Sequence, residues 1–213
     1  MSALRVKFLF TFITVLSVFA YGKEFYEGPF FWSKAGIQEK MKKERYLPVS
    51  VTSDQDESGK EIWSMKGAGI TNAPCDFAFE WSQRFEEIRK LKDHFPEVSW
   101  NADKTELNLS LKIMSRVQKI KFKLWRKIFE INGEQVRRLH YLVLEGPYKG
   151  SEGAMILTNA GQQRCEIGLV SVYKGKLFIF GSSVIAVAVE GVIQHVAKTL
   201  RSGVEDAWIQ YRN

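Results

Sequence analysis

The chain has 213 residues, 45% hydrophobic and 26% charged, with a formal net charge of +7. That is globular composition, long enough to bury one sizeable core. No apolar run of about twenty residues occurs outside the N-terminus, which excludes a polytopic helical membrane protein for the body of the chain.

Arg5 and Lys7 precede the apolar run Phe8–Ala20, and Ala20-Tyr21-Gly22 places small residues where a signal peptidase reads. This is the pattern of a secretory signal peptide over residues 1–22. It predicts an exported protein, periplasmic in a Gram-negative bacterium and secreted otherwise. The alternative is an uncleaved anchor, for which the run is short. No Cys follows the run, which argues against a lipoprotein anchor.

Residues 23–59 read as an N-terminal extension ahead of a domain over 60–213. The extension opens on Phe25, Tyr26, Phe30, Phe31 and Trp32, carries helix formers over Ser33–Glu44, and ends in an exposed linker, Ser53–Lys60. Glu61–Thr71 then reads as a strand, stopped by Asn72-Ala73-Pro74. Asp76–Leu91 follows as helix, with Pro74 and Asp76 suited to its start and a break at Ser82 dividing it into two short helices.

The middle of the chain alternates. Leu107, Leu109, Leu111 and Ile113 interleave with polar residues, as do Ile120, Phe122 and Leu124, then Leu139, Tyr141 and Val143. Asn132-Gly133 is a hairpin signal, and Ala160-Gly161 turns Gly153–Asn159 into Arg164–Tyr173. Period-two alternation predicts antiparallel strands with one wet face and one apolar face. From Ser183 to about Tyr211, Ile185, Val189, Val192, Val196, Leu200, Val204 and Trp208 advance at helical steps, with Glu190, Gln194, Lys198, Arg201 and Glu205 on the other side. Cys75 and Cys165 could pair in an oxidising compartment; the preferred reading is two small core residues, Cys165 sharing a face with Ile167 and Leu169.

The predicted class is therefore α+β. A curved antiparallel sheet needs a cover for its apolar face, and only the C-terminal helix is long enough. Three segments carry a family resemblance: GAGITNAPCDFAFEW (Gly67–Trp81), KDHFPEV (Lys92–Val98) and GPYKGSEGAMILTNAG (Gly146–Gly161). In that order, closed by the long helix, they resemble the helix-grip fold of the START-like (SRPBCC) superfamily, in its coenzyme-Q-binding and polyketide-cyclase-like branch. The resemblance implies a sheet wrapped around the C-terminal helix, two short helices after the first strand, and a hydrophobic small molecule or lipid as partner.

The chain has no G-x-S-x-G, Walker loop, H-E-x-x-H or C-x-x-C, and His94, His140 and His195 lack ligand spacing. No catalytic residue, metal or cofactor is assigned. Strand parity and the helix stripe put Leu109, Leu111, Phe122, Leu124, Tyr141, Val143, Ile167, Leu169, Val189, Val192 and Val196 on facing apolar surfaces. A filled core would use the same residue types, and it is the resemblance that implies a ligand cavity lined by them. Tyr173 shares the inward parity. So does Arg126, which either holds a ligand head group or is turned outward by a bulge after Trp125. Lys119, Lys121 and Lys123 lie on the opposite strand face, read either as a solvated face or as a patch for anionic lipid headgroups; nucleic acid is not expected. Two function classes stand: a carrier or sensor of an apolar ligand, and a cyclase- or hydrolase-type enzyme acting on a hydrophobic substrate in the same cavity.

Overall fold

The computed structural model describes residues 30–84, 96–113, 116–175 and 182–213, excluding the side chains of 111–113, 116, 182–189, 192 and 196. The strands are β1 (Val49–Gln55), β2 (Glu61–Thr71), β3 (Glu97–Trp100), β4 (Glu106–Ile113), β5 (Arg116–Ile131), β6 (Glu134–Glu145), β7 (Glu152–Asn159) and β8 (Cys165–Lys174). The helices are α1 (Ala35–Lys43), α2 (Cys75–Trp81) and α3 (Ser182–Arg212).

All eight strands form one antiparallel sheet in the order β1-β2-β8-β7-β6-β5-β4-β3. After β2 the chain crosses by way of α2 to the far edge, then meanders back until β8 lies beside β2. At the β5–β6 hairpin Asn132 and Gly133 both take positive φ, 53° and 79°, the backbone of the tight turns that match strand twist. Helix α2 starts directly after extended Pro74 and carries Asp76 in its first turn. The second short helix expected up to Leu91 falls on residues outside the described ones.

The 31-residue helix α3 lies across the concave face, as the amphipathic pattern predicts. Its polar side differs from expectation. Glu190 accepts the Val51 N–H of β1 at 2.9 Å, Arg201 donates to the Arg45 carbonyl at 2.8 Å, and Glu205 accepts the Asn72 N–H at 2.9 Å. The side read as solvent-facing thus fastens the helix to the segment around β1 and to the end of β2.

Three readings need correction. The supposed linker at Ser53–Lys60 begins inside β1, which runs to Gln55 and pairs with β2 through Gln55↔Glu61. Cys75 and Cys165 form a disulfide that joins the start of α2 to the start of β8 across 90 residues. Such a crosslink removes about 4–5 kcal/mol of chain entropy from the unfolded state. The convex sheet face is not uniformly wet. Trp32, Ile37 and Met41 of the N-terminal segment cover Ala68, Ile70, Ala154, Ile156 and Val170 there. Trp32 rests on Gly168, where an added Cβ would come within 2.8 Å of Cζ2. Its Nε1–H donates to Glu166 Oε1 at 3.0 Å, and Gln38 donates to the other carboxylate oxygen at 2.6 Å.

Candidate ligand-binding cavity

Concave parity sets the floor and walls. Cross-strand pairing puts Leu107 opposite Phe122 and Leu109 opposite Ile120. It sets Leu124 opposite Tyr141, Leu139 opposite Met155, and Met155 opposite Leu169. On β2 the inward positions opposite Leu169 and Ile167 are Gly67 and Gly69, so the floor there is bare backbone. Leu47 fills part of that space, its Cδ2 only 2.3 Å from where a Cβ on Gly69 would stand. Helix α3 roofs the space with Ile193, Ala197, Leu200, Arg201 and Val204, and Trp81, Ser82 and Arg84 close in from the end of α2. Trp81 approaches the helix at Gly203, whose absent Cβ would lie 2.9 Å from the ring. The result is a cavity of about 300 Å³, with an almost wholly apolar wall. That is the lower end of the size range for sites that take small molecules.

Tyr141 lies across Gly153, its pair on β7, and its ring fills the place a side chain would take. The ring meets Phe122 edge-on at 6.1 Å, and its hydroxyl donates to Ser171 Oγ. Burial pushes its ionisation up to about 12, against the opposing effect of the Ser171 hydrogen bond. The group is a neutral hydroxyl whose proton is already committed.

Of the residues assigned to the cavity from sequence, Leu109, Phe122, Leu124, Tyr141, Ile167 and Leu169 lie on its wall. The side chains of Leu111, Val189, Val192 and Val196 lie outside the described ones. Val143 is buried at inward parity but off the wall. Tyr173 packs beside the cavity, against Trp63, with its hydroxyl 3.5 Å from the Pro147 carbonyl oxygen. Arg126 keeps inward parity opposite Leu139, and the register shift in β5 lies at Lys121/Phe122, not after Trp125. Its guanidinium nevertheless leaves the cavity for the rim, paired with Glu80 and set over the Phe79 ring at 4.7 Å. In the lysine row, Lys119 and Lys123 are exposed, while Lys121 is tied to Glu106 at 3.3 Å and Glu145 at 3.4 Å. The hydrogen bond that Lys121 donates to Glu106, then the charge of Glu106, raises the Lys121 pKa.

Sequence reasoning missed Leu107, Leu139 and Met155, although their parity matches the assigned residues. It also missed Gly67 and Gly69, where the signal is an absent side chain. Arg201 was placed on the wet side of the helix, yet it contributes to the wall. Its Nη1 donates to the Arg45 carbonyl, and its Nε–H is enclosed with no acceptor among the described residues. Burial, then the charge of Arg45, lowers its pKa. Arg45 pairs with Glu205 at 2.5 Å and has a left-handed backbone, φ 55°. Among the described residues no cluster of His, Cys, Asp and Glu could hold a metal ion, and no helix is long and apolar enough to cross a membrane.

No protein-family model and no curated protein sequence matches the chain. Solved structures do. A START superfamily protein from Mycobacterium smegmatis aligns with TM-score 0.53 at 11% identity, covering 68% of this chain and 98% of that one. A protein from Thermus thermophilus aligns with TM-score 0.52 at 14% identity, covering 70% and 99%. The Zhui aromatase/cyclase from a Streptomyces species aligns with TM-score 0.51 at 10% identity, covering 71% and 96%. With its eight-stranded antiparallel sheet closed around a C-terminal helix, the chain has the START-like helix-grip fold.

Proposed function

We propose that this protein is an exported carrier or sensor of a hydrophobic ligand, such as a lipid, an isoprenoid quinone or a sterol-like molecule, held between the sheet and α3. The observation that carries this reading is the cavity itself, about 300 Å³ of apolar space between the sheet and α3. The fold supports it, since one structural neighbour is a START superfamily protein. Two observations support export. Phe8–Ala20 reads as the core of a signal peptide, and the Cys75–Cys165 disulfide belongs in an oxidising compartment. Lys119 and Lys123, exposed on either side of the paired Lys121, supply the cations for peripheral contact with an anionic membrane surface.

The enzyme alternative, favoured by the likeness to an aromatase/cyclase, needs a proton donor and acceptor on the cavity wall. Tyr141 is the wall hydroxyl nearest to such a role, but it is bonded to Ser171 and resists ionisation. The carrier reading therefore takes precedence. Native mass spectrometry of protein taken from the cell envelope tests it in one measurement. The expected species starts near Lys23 and carries a lipid-sized adduct that organic extraction removes. Protein that never loads any lipid, quinone or sterol from an envelope extract would defeat the reading.

A further inference from the structure

We infer that the cavity's ligand is an amphiphile with one anionic oxyacid head, seated against Arg201 and Arg45 while its apolar chain fills the space beneath α3. This rests on the reading of the cavity as a hydrophobic-ligand site and adds the chemistry of the head group. The wall is apolar except at a few points, and most of those are satisfied internally. Tyr141 is bonded to Ser171, and Thr71 lies 3.5 Å from the Glu205 carboxylate. Arg201 is different. It is part of the wall, one of its N–H groups reaches the Arg45 carbonyl, and its Nε–H is enclosed without an acceptor among the described residues. An unsatisfied charged donor beside apolar space is costly, and a ligand oxygen there would satisfy it.

The local charge balance points the same way. Arg201 and Arg45 together face one carboxylate, Glu205, which is already engaged by Arg45 at 2.5 Å and by the Asn72 N–H at 2.9 Å. The surplus is cationic. A carboxylate or phosphate matches a guanidinium in shape and charge; a neutral hydroxyl does not. The left-handed backbone at Arg45, uncommon for a residue with a side chain, places its carbonyl on Arg201 and its guanidinium on Glu205 together.

The test is displacement of Nile red, a neutral probe, from delipidated mature protein by palmitate, hexadecyl phosphate and hexadecanol. At least one anionic chain should displace the probe at a concentration at least about tenfold below that of hexadecanol. The better of palmitate and hexadecyl phosphate identifies the head as carboxylate or phosphate. In Arg201→Gln the anionic-to-neutral ratio should fall to within about threefold, and in Arg201→Lys, which keeps the charge, it should fall less. Arg45→Gln, which leaves Arg201 in place, should give an intermediate ratio. Hexadecanol as effective as both anionic chains on the wild type would overturn the head-group assignment and leave the cavity reading intact. A ratio unchanged in folded Arg201→Gln and Arg45→Gln proteins would do the same. If neither Nile red nor any of the three chains binds, the cavity reading falls too.

Discussion

Along β8, Ile167 and Leu169 point toward α3, while Gly168 and Val170 point toward the N-terminal segment, and the two faces are filled in opposite ways. On the convex side Val170 and Ala154 are fully enclosed, and Trp32 rests on Gly168. On the concave side Leu47 likewise sits over Gly69, yet a cavity remains between the sheet and α3. The difference follows from the cover. A short turn and helix over residues 31–43 can follow the sheet's curve and press a ring into a glycine gap. A 31-residue helix is too stiff to bend into the hollow, so it spans the hollow and leaves space beneath. Glycines are closely covered on both faces, by Trp32 at Gly168 and by Leu47 at Gly69, so the open room lies beneath the rigid helix and not at the glycines themselves.

The largest expected effect lies on the filled face. Trp32→Ala should cost about 3–5 kcal/mol, through lost packing and the lost bond to Glu166. Urea denaturation followed by tyrosine fluorescence and by far-UV circular dichroism reads it. A loss below about 1 kcal/mol would mean that the N-terminal cover folds apart from the sheet, and the comparison would break.

A smaller effect is pH-dependent. His140 sits on the convex side of β6, stacked on Trp125 at 5.2 Å. Burial first, then the charges of Lys127 and Arg138, depress its pKa to about 4. The unfolded chain takes up this proton near pH 6.5, whereas the folded chain refuses it until about pH 4. The contribution to stability is therefore complete above pH 6.5 and is lost as pH falls toward 4. With allowance for partial solvent access it amounts to roughly 1–2 kcal/mol. Urea midpoints at pH 7 and pH 4 for the wild type and His140→Gln measure it. An equal acid-side drop in both proteins would show that other groups cause the decline.

How much of this was legible follows from what each signal depends on. Alternation located β4 through β8 and the apolar stripe located α3, because both report a local period, and β2 was legible from its strand-forming residues and the stop at Asn72-Ala73-Pro74. Strand β1 was not legible: in VSVTSDQ two valines are the only apolar signal, and the rest is turn chemistry. An edge strand of this kind is held by its neighbour and by Glu190, not by its own pattern. Convex burial was hidden for a related reason. Arg138 and His140 alternate with inward residues and read as a wet face, but Phe129 sets its ring against Arg138 at 4.5 Å and Trp125 covers His140. The disulfide joins residues 90 apart, which no local pattern reports. Parity named six of the described cavity residues, but a filled core uses the same residue types, so the open volume was not legible.

That volume supports the smallest expected effect on stability. Leu124 lines the cavity from β5, in contact with the cluster around Phe79 and Leu139. In a filled core Leu124→Trp would overpack and cost about 1–3 kcal/mol, as an added side chain under Trp32 at Gly168 should. Next to about 300 Å³ of empty space, the larger ring has somewhere to go, and the cost should stay below about 1 kcal/mol. The ring would then occupy the room a ligand needs, so the variant should remain folded while its capacity for a fluorescent lipid or quinone analogue drops sharply. The two readouts separate the possibilities. A destabilised protein that still binds would mean that the cavity closes elsewhere in solution. A stable protein that binds normally would mean that the ligand does not reach β5. Stability kept and binding lost is the pair of results that only an open concave face produces.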